Sequence, residues 1–355
     1  MGCFLFFSAA IIKQFYPKSH EVTLSDARFL QLKQWLQQQF DASVDMQLIS
    51  GDASFRRYFR VTTADKSYIV ADSPPEKVDN RPFLALADAY HRQGIPVPAI
   101  IAVDATQGFI LQQDLGDQSL LSLLTSDNVK RWYQQALALL PQIAAVKASI
   151  SGPLPQYDAA FVQRELEIFP QWLLAKHWHL TLSDAEIQQL QQVFALLTEN
   201  ALAQPLVGMH RDFHSRNLMV MEKQLYVIDF QDAVLGPITY DAVSLLRDCY
   251  VRWPDAVVDA LRDEYYQHCI TLGLLDRQTS AKQFCRWFDL MGLQRHLKAA
   301  GIFARLLHRD GKSGYIKDIP LTLAYVADIS ERYPELFSFS QWVRQRLLPL
   351  CGENS

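Results

Sequence analysis

Three residues near the middle of the chain have the types and order that phosphoryl transfer requires. Asp212 lies within Val207-Gly-Met-His-Arg-Asp-Phe-His-Ser-Arg-Asn-Leu-Met-Val220, Asn217 follows it, and Asp229 ends the apolar run Leu225-Tyr-Val-Ile228. Transfer of a phosphoryl group needs a carboxylate beside the attacking hydroxyl. It also needs hard oxygen ligands on Mg2+ that neutralise phosphate charge. Mg2+ prefers carboxylate, amide and phosphate oxygens. Asp212 is therefore the candidate to orient and deprotonate an alcohol, and Asn217 and Asp229 the candidates to hold the metal. Each residue alone would be a turn acid, a capping amide or a strand-terminal carboxylate. Their order within one short stretch is what carries the chemistry.

These side chains need elements to bring them together. Two apolar runs, Leu218–Val220 and Leu225–Ile228, flank the polar pair Glu222-Lys223. That pattern predicts a hairpin with Asn217 and Asp229 close together. Upstream, Met46–Ile49, Arg56–Val61 and Tyr68–Ala71 read as strands, the first two joined by Gly51-Asp-Ala-Ser54. Ser25 is the candidate cap of a helix whose Phe29, Leu32, Trp35 and Leu36 share one face. A second amphipathic helix runs from Pro82 to His91. Strands follow at Ile100–Val103 and Gly108–Gly116. From Ser119 onward the periodicity is helical. It predicts a buried helix over Trp132–Val146, a long one over Asp158–Trp178 interrupted at Pro170, and one capped by Ser183 and Glu186 running to Leu197. Pro237 is expected to open a helix reaching about Val251. Further helices fall at Asp255–Leu272, Ser280–His308, Leu321–Ile329 and Ser340–Leu348.

The 355 residues are 49% hydrophobic and 20% charged, with a formal net charge of -4. That is enough chain and apolar content for two lobes with their own cores. No basic excess points to nucleic acid. Five scattered cysteines (Cys3, Cys249, Cys269, Cys285, Cys351) show no metal-ligating spacing and fit reduced thiols in the cytoplasm. The apolar run Cys3–Ile12 is too short to span a bilayer and has no preceding positive charge. It reads as an extension ahead of the domain, without stable membrane insertion. Gly311-Lys-Ser313 resembles the end of a phosphate-binding loop, but Leu306 stands where that loop needs glycine. A helix-ending turn is the better expectation.

His210-Arg-Asp212 with Asn217 fits the catalytic-loop pattern of protein kinases, and Asp229-Phe-Gln231 stands where those carry Asp-Phe-Gly. With Gly236-Pro-x-x-Tyr-Asp241 after it, the chain resembles the aminoglycoside phosphotransferase family of small-molecule kinases. The longer strings Gly51-Asp-Ala-Ser-Phe-Arg-Arg-Tyr-Phe-Arg60, Arg211–Met219, Asp229–Asp248 and Gln294-Arg-His-Leu-Lys298 are similar to those of bacterial anomeric kinases for N-acetylmuramate and N-acetylglucosamine, which act in cell-wall sugar recycling. The resemblance runs from about Leu24 to near Leu347.

That resemblance implies an α+β, bilobal protein-kinase-like fold. After an extension (1–23) would come a small antiparallel-sheet lobe (24–115) and a mostly helical lobe (116–355), with ATP and Mg2+ between the lobes. It implies that the loop ending at Ser54 covers the ATP phosphates and that backbone near Gln113 and Leu115 meets adenine. It also implies that Asp241 braces the catalytic loop, and that Asp212, Arg216 and Asp232 meet an amino-sugar acceptor. The products would be a sugar 1-phosphate and ADP, made by a monomer. One departure stands out. Kinases grip the α- and β-phosphates with a lysine on the third strand, but Ala71 occupies that position, and no lysine occurs from Tyr68 to Glu76. Arg56 or Arg57 is the expected substitute, with Lys66 and Lys77 as competitors.

Other readings stay open. A kinase for another small alcohol, of the aminoglycoside, choline or homoserine type, would differ in the charge of its cleft. A non-catalytic nucleotide-binding module would suit the missing lysine but not the intact Asp212, Asn217 and Asp229. The segment from Asp229 to Gly236 is too short for the phosphorylated loop of a protein kinase. Glu165, Glu167 and Trp172, and the later set Trp287, Arg295, His296, Arg305, His308 and Arg309, read first as packing and surface charge and only second as substrate contacts.

Overall fold

The computed structural model describes residues 27–41, 43–50 and 56–353. The expected extension, the Ser25 cap and the loop with Ser54 lie outside them. The chain divides into two compact units. One takes in the described residues as far as Thr125 together with Ala148–Pro153 and Ser215–Asp232; the other holds Ser126–Lys147, Leu154–His214 and the described residues from Ala233 onward. The sheet-bearing unit thus extends past the expected boundary at 115 and recruits a later segment that carries Asn217 and Asp229.

In the first unit, β1 (Asp45–Ser50), β2 (Arg57–Thr62), β3 (Ser67–Asp72), β4 (Ile100–Asp104) and β5 (Phe109–Gln113) form an antiparallel sheet in the order β1-β2-β3-β5-β4. Alternation puts Phe59, Val61, Val70, Phe109 and Leu111 on one face, where helix α1 (Ala27–Phe40) covers them with Phe29, Leu32, Trp35 and Leu36. Helix α2 (Arg81–Arg92) begins with Pro82 in its first turn, where proline costs no hydrogen bond. The turn between β4 and β5 requires glycine: Gly108 has φ +72°, and an added Cβ would sit 2.0 Å from the Ser73 carbonyl oxygen.

The expected hairpin is present. Leu218–Met221 pairs with Gln224–Val227, and Glu222 and Lys223 form the turn with φ of 51° and 65°. Two left-handed residues are what a type I′ turn demands, here without the usual glycine. Val220 N–H donates to the Gln118 carbonyl at 2.8 Å and Val227 N–H to the Pro96 carbonyl at 2.8 Å, which fasten the hairpin to the sheet-bearing unit.

The second unit is mainly helical. Its longest helix, Ala281–Asp310, is capped by Ser280 and buried from Phe284 to Leu306 along most of its faces. It crosses the segment at Ile168 and Phe169 so closely that a Cβ on Gly301 would meet their backbone at 2.6–2.7 Å. Gly311, at φ 68°, ends it, with Lys312 N–H donating to Leu306; the Gly311-Lys-Ser313 string is a helix terminus, as expected. Ser183 and Glu186 make the reciprocal capping bonds at the start of Asp184–Leu202. Pro170 does divide its stretch, into an α-helix (Ala159–Leu166) and a π-helix (Phe169–His177).

Two expectations are corrected. The helix over Trp132–Val146 is two helices, Val129–Leu137 and Leu140–Ala145, because Pro141 lacks the N–H needed to continue the first. Pro237 does not open a helix. It closes a strand, Val234–Pro237, paired with Leu206–Met209, and the helix that follows spans only Tyr240–Leu246.

Candidate active site

Asp212 sits in a loop of the helical unit immediately after strand Leu206–Met209. Asp241, at the start of the Tyr240–Leu246 helix, accepts the His210 N–H at 2.7 Å and the Arg211 N–H at 3.0 Å. Arg211 is left-handed, φ 78°, a conformation that costs a non-glycine residue about 1–3 kcal/mol and persists only when its surroundings impose it. His210 Nδ1 accepts the Asp212 N–H at 3.2 Å. Asp212 itself is half-buried. Burial would push its carboxyl up, but the charges of Lys298, Arg211, His214 and Arg295 prevail and hold it at about 2. Asp241 behaves oppositely: burial pushes it up to about 7 against the pull of its two N–H bonds.

Asn217 and Asp229 flank the hairpin of the other unit. The ladder continues into them through Ile228 N–H to the Asn217 carbonyl at 3.0 Å. Asn217 Nδ2 donates to Asp229 Oδ2 at 3.2 Å, and Gln231 Nε2 donates to Oδ1 at 2.8 Å. Gln231, the residue that replaces the glycine of Asp-Phe-Gly, therefore supports the aspartate. Asp229 is left-handed, φ 68°, which turns its carboxylate away from the extended path of the strand. Phe230 is buried, stacked on Phe83 at 5.2 Å and against Tyr90 at 5.3 Å. One carboxylate and one amide, adjacent and both hard oxygen donors, fit Mg2+ held partly by phosphate and water oxygens. Among the described residues no cluster of three or more His, Cys, Asp or Glu forms a separate metal cage.

The two arginines offered in place of the lysine make different contacts. Arg57 is committed to the fully buried Asp72, through Nε at 2.9 Å and Nη2 at 2.6 Å, and Arg28 meets the same carboxylate at 2.6 Å. Arg56 donates to Ser73 Oγ at 2.5 Å, to Asn80 Oδ1 at 2.8 Å and to the Tyr58 hydroxyl at 3.4 Å. Its guanidinium lies 5.7 Å from the centre of the Phe83 ring that stacks on Phe230. Burial pushes the Tyr58 hydroxyl up to about 12, with Arg56 opposing and Asp229 reinforcing; Arg56 and Asp229 thus act on one hydroxyl. Ala71 is buried, while Lys66 and Lys77 are exposed. Arg60 pairs with Asp114 at 2.6 Å and Asp117 at 3.0 Å. Gln113 ends β5, its N–H bonded to the Ala99 carbonyl at 2.8 Å, and Leu115 is buried just beyond. Arg216 is buried and Asp232 half-buried on the segment that carries Asn217 and Asp229.

Sequence reasoning missed Asp72 as an anchor of Arg57, and it missed the partners of Glu165. The Glu165 carboxylate is buried and accepts from Arg211, Lys298, Tyr157 and Gln294. Its only sequence trace was an acid on the apolar side of a helix.

Residues 45–277 match the phosphotransferase enzyme family, and the chain belongs to it. Two solved structures share the fold. They are an ethanolamine kinase from Plasmodium vivax (TM-score 0.62, 13% identity, 89% of this chain and 93% of that one) and an ADP-bound aminoglycoside phosphotransferase (TM-score 0.58, 15% identity, 86% and 99%). Nearer in sequence are the N-acetylmuramate/N-acetylglucosamine kinase of Pseudomonas aeruginosa, 42% identical over 88% of this chain and 94% of that protein, and that of Neisseria meningitidis, 40% identical over 87% and 93%.

Proposed function

We propose that this protein uses ATP and Mg2+ to phosphorylate the anomeric hydroxyl of N-acetylmuramate and N-acetylglucosamine, as a cytoplasmic monomer in the recycling of cell-wall sugars. The observation that carries the reading is the Asn217–Asp229 contact on one hairpin, just downstream of the braced Asp212. The amino-sugar assignment is supported by the relatives' names and by the identity extending over most of both chains.

In this reading the Asp212 carboxylate, ionised at neutral pH, accepts a hydrogen bond from the sugar hydroxyl, aims its oxygen at the γ-phosphorus and takes the proton as the bond forms. A carboxylate held at about 2 is a weak base. It suffices here, because a loose transition state asks more for alignment than for proton removal, and because an anomeric hydroxyl is more acidic than an ordinary alcohol. Mg2+, held by Asn217 and Asp229, would neutralise charge on the phosphate oxygens. Arg56 is our choice for the cation that meets the α- and β-phosphates, with Arg57 committed to Asp72. Ser54 and the backbone at Gln113 and Leu115 complete the nucleotide contacts, and Arg216 and Asp232 join Asp212 at the acceptor.

The test is incubation with ATP, Mg2+ and either sugar, following ADP release and the phosphorus NMR signal of the product, with Asp212→Asn as control. An anomeric phosphate that vanishes in the variant supports both reaction and residue. ADP release with other acceptors only would discard the sugar.

A further inference from the structure

Beneath the catalytic loop of the helical unit lies a buried charged cluster to which the proposed chemistry gives no part. Glu165 is at its centre. Its Oε1 lies 2.8 Å from Arg211 Nη2 and 2.9 Å from Lys298 Nζ, and its Oε2 accepts from the Tyr157 hydroxyl at 2.6 Å and Gln294 Nε2 at 3.1 Å. Arg211 lies with its guanidinium 4.9 Å from the centre of the Phe161 ring. Lys298 has a second contact: its ammonium donates to the Tyr240 hydroxyl at 3.0 Å. All four donors and the acceptor are buried side chains or members of buried elements.

Removing two cations and a carboxylate from water is costly, and a buried ion network seldom stabilises a fold more than apolar packing of similar volume would. Its placement suggests another use. The side chain of Arg211 is held by Glu165, while its backbone N–H is held by Asp241. Lys298 joins the two braces, because it bonds both Glu165 and Tyr240, and Tyr240 immediately precedes Asp241. The residue so clamped is left-handed, and Asp212 follows it directly. Were Arg211 to relax to an ordinary negative φ, the peptide leading into Asp212 would swing and the carboxylate would point elsewhere. Two cations against one carboxylate also leave a surplus positive charge, which faces Asp212 and favours its ionised form.

We propose that the Glu165–Lys298 pair is a positioning device of the phosphoryl-transfer site. It holds Arg211 in its left-handed conformation, and so fixes the direction of Asp212 without touching substrate. This rests on the reading of Asp212 as the residue that meets the acceptor.

Four proteins test it: wild type, Arg211→Gly, the double variant Glu165→Gln/Lys298→Met, and the triple combination. Glycine adopts positive φ freely, so it needs no clamp; its introduction leaves Glu165 and Lys298 paired with each other. The double variant takes the Glu165 carboxylate away from the Arg211 guanidinium and should lower kcat at least a hundredfold. Its affinity for ADP, measured by calorimetry, should stay within about threefold of wild type. Arg211→Gly should lose no more than about tenfold in kcat, and the triple variant should match it, recovering most of what the double variant lost. If the double substitution lowers kcat by the same factor in both backgrounds, the pair does not act through Arg211 and the proposal falls. It falls equally if ADP affinity and kcat decline together, which marks general loss of the fold. Should the double variant not fold, Glu165→Gln alone, with and without Arg211→Gly, applies the same criterion. An Asp212→Asn protein that retains full turnover would overturn the underlying reading, an outcome separate from these.

Discussion

At the scale of single residues, the duties proposed for Asp212 and Arg56 are opposite, and their substitutions should fail differently. Asp212→Asn keeps shape and removes the acceptor of the hydroxyl proton. It should lower kcat by about 10²–10⁴, the usual worth of a positioned acid or base, and leave ADP affinity unchanged by calorimetry. Arg56→Gln removes the charge proposed to meet the phosphates. A charge-assisted hydrogen bond contributes about 1.5–3 kcal/mol, so ADP should bind about ten- to a hundredfold more weakly, while adenosine, which lacks phosphates, should bind as before. Equal weakening of both ligands would assign Arg56 to the scaffold. Asp241 bears on pH. Its folded pKa, near 7, lies above the unfolded value, so the folded state binds the extra proton between the usual carboxylate range and about pH 7. The stability it contributes is present at low pH and is lost as pH rises through 7. Urea unfolding from pH 5 to 8 should show wild type losing stability relative to Asp241→Asn over that window.

At the scale of elements, the hairpin and the long helix each depend on local backbone constraints. Glu222 and Lys223 occupy the two left-handed positions of the hairpin turn, where asparagine and glycine are favoured. Replacing them by Asn and Gly should stabilise the fold by about 1 kcal/mol and raise Tm. Because the arms that carry Asn217 and Asp229 keep their register, nucleotide affinity should not change. Gly301 is the reverse case. Its Cβ would collide with fixed backbone at Ile168 and Phe169, so Gly301→Ala should destabilise by about 1–3 kcal/mol, as overpacking does, and lower the urea midpoint.

At the scale of the whole molecule, ligand and fold are coupled through the sheet-bearing unit, where β2, β3 and the hairpin meet the residues proposed for nucleotide and metal. A ligand that binds only the folded state stabilises it by about 2.7 kcal/mol at a hundred times its Kd. ADP should therefore raise Tm, and more with Mg2+ than with EDTA. In Asp229→Asn the Mg2+-dependent part of the shift should disappear while the rest persists. Loss of both parts would instead place Asp229 in the framework of the unit.

The sequence by itself determined the candidate residues for the chemistry and the elements that short-range rules govern. Asp212, Asn217 and Asp229 could be singled out as candidates because their types and spacing are local. The hairpin followed from two apolar runs about a polar pair, and helix ends followed from Ser183, Glu186 and Gly311. Even the failed helices failed locally: one was run through Pro141, which divides it, and one was opened at Pro237, which closes a strand. Only the tertiary structure decided which charges meet. Arg57 could not be separated from Arg56 until β3 brought Asp72 against one of them. Glu165 could not be matched to Arg211, 46 residues away, or to Lys298 beyond it. Periodicity says which face of an element is buried, but not which buried faces touch. A buried ion's partner is set by the packing of distant elements, and no local pattern of residues encodes that.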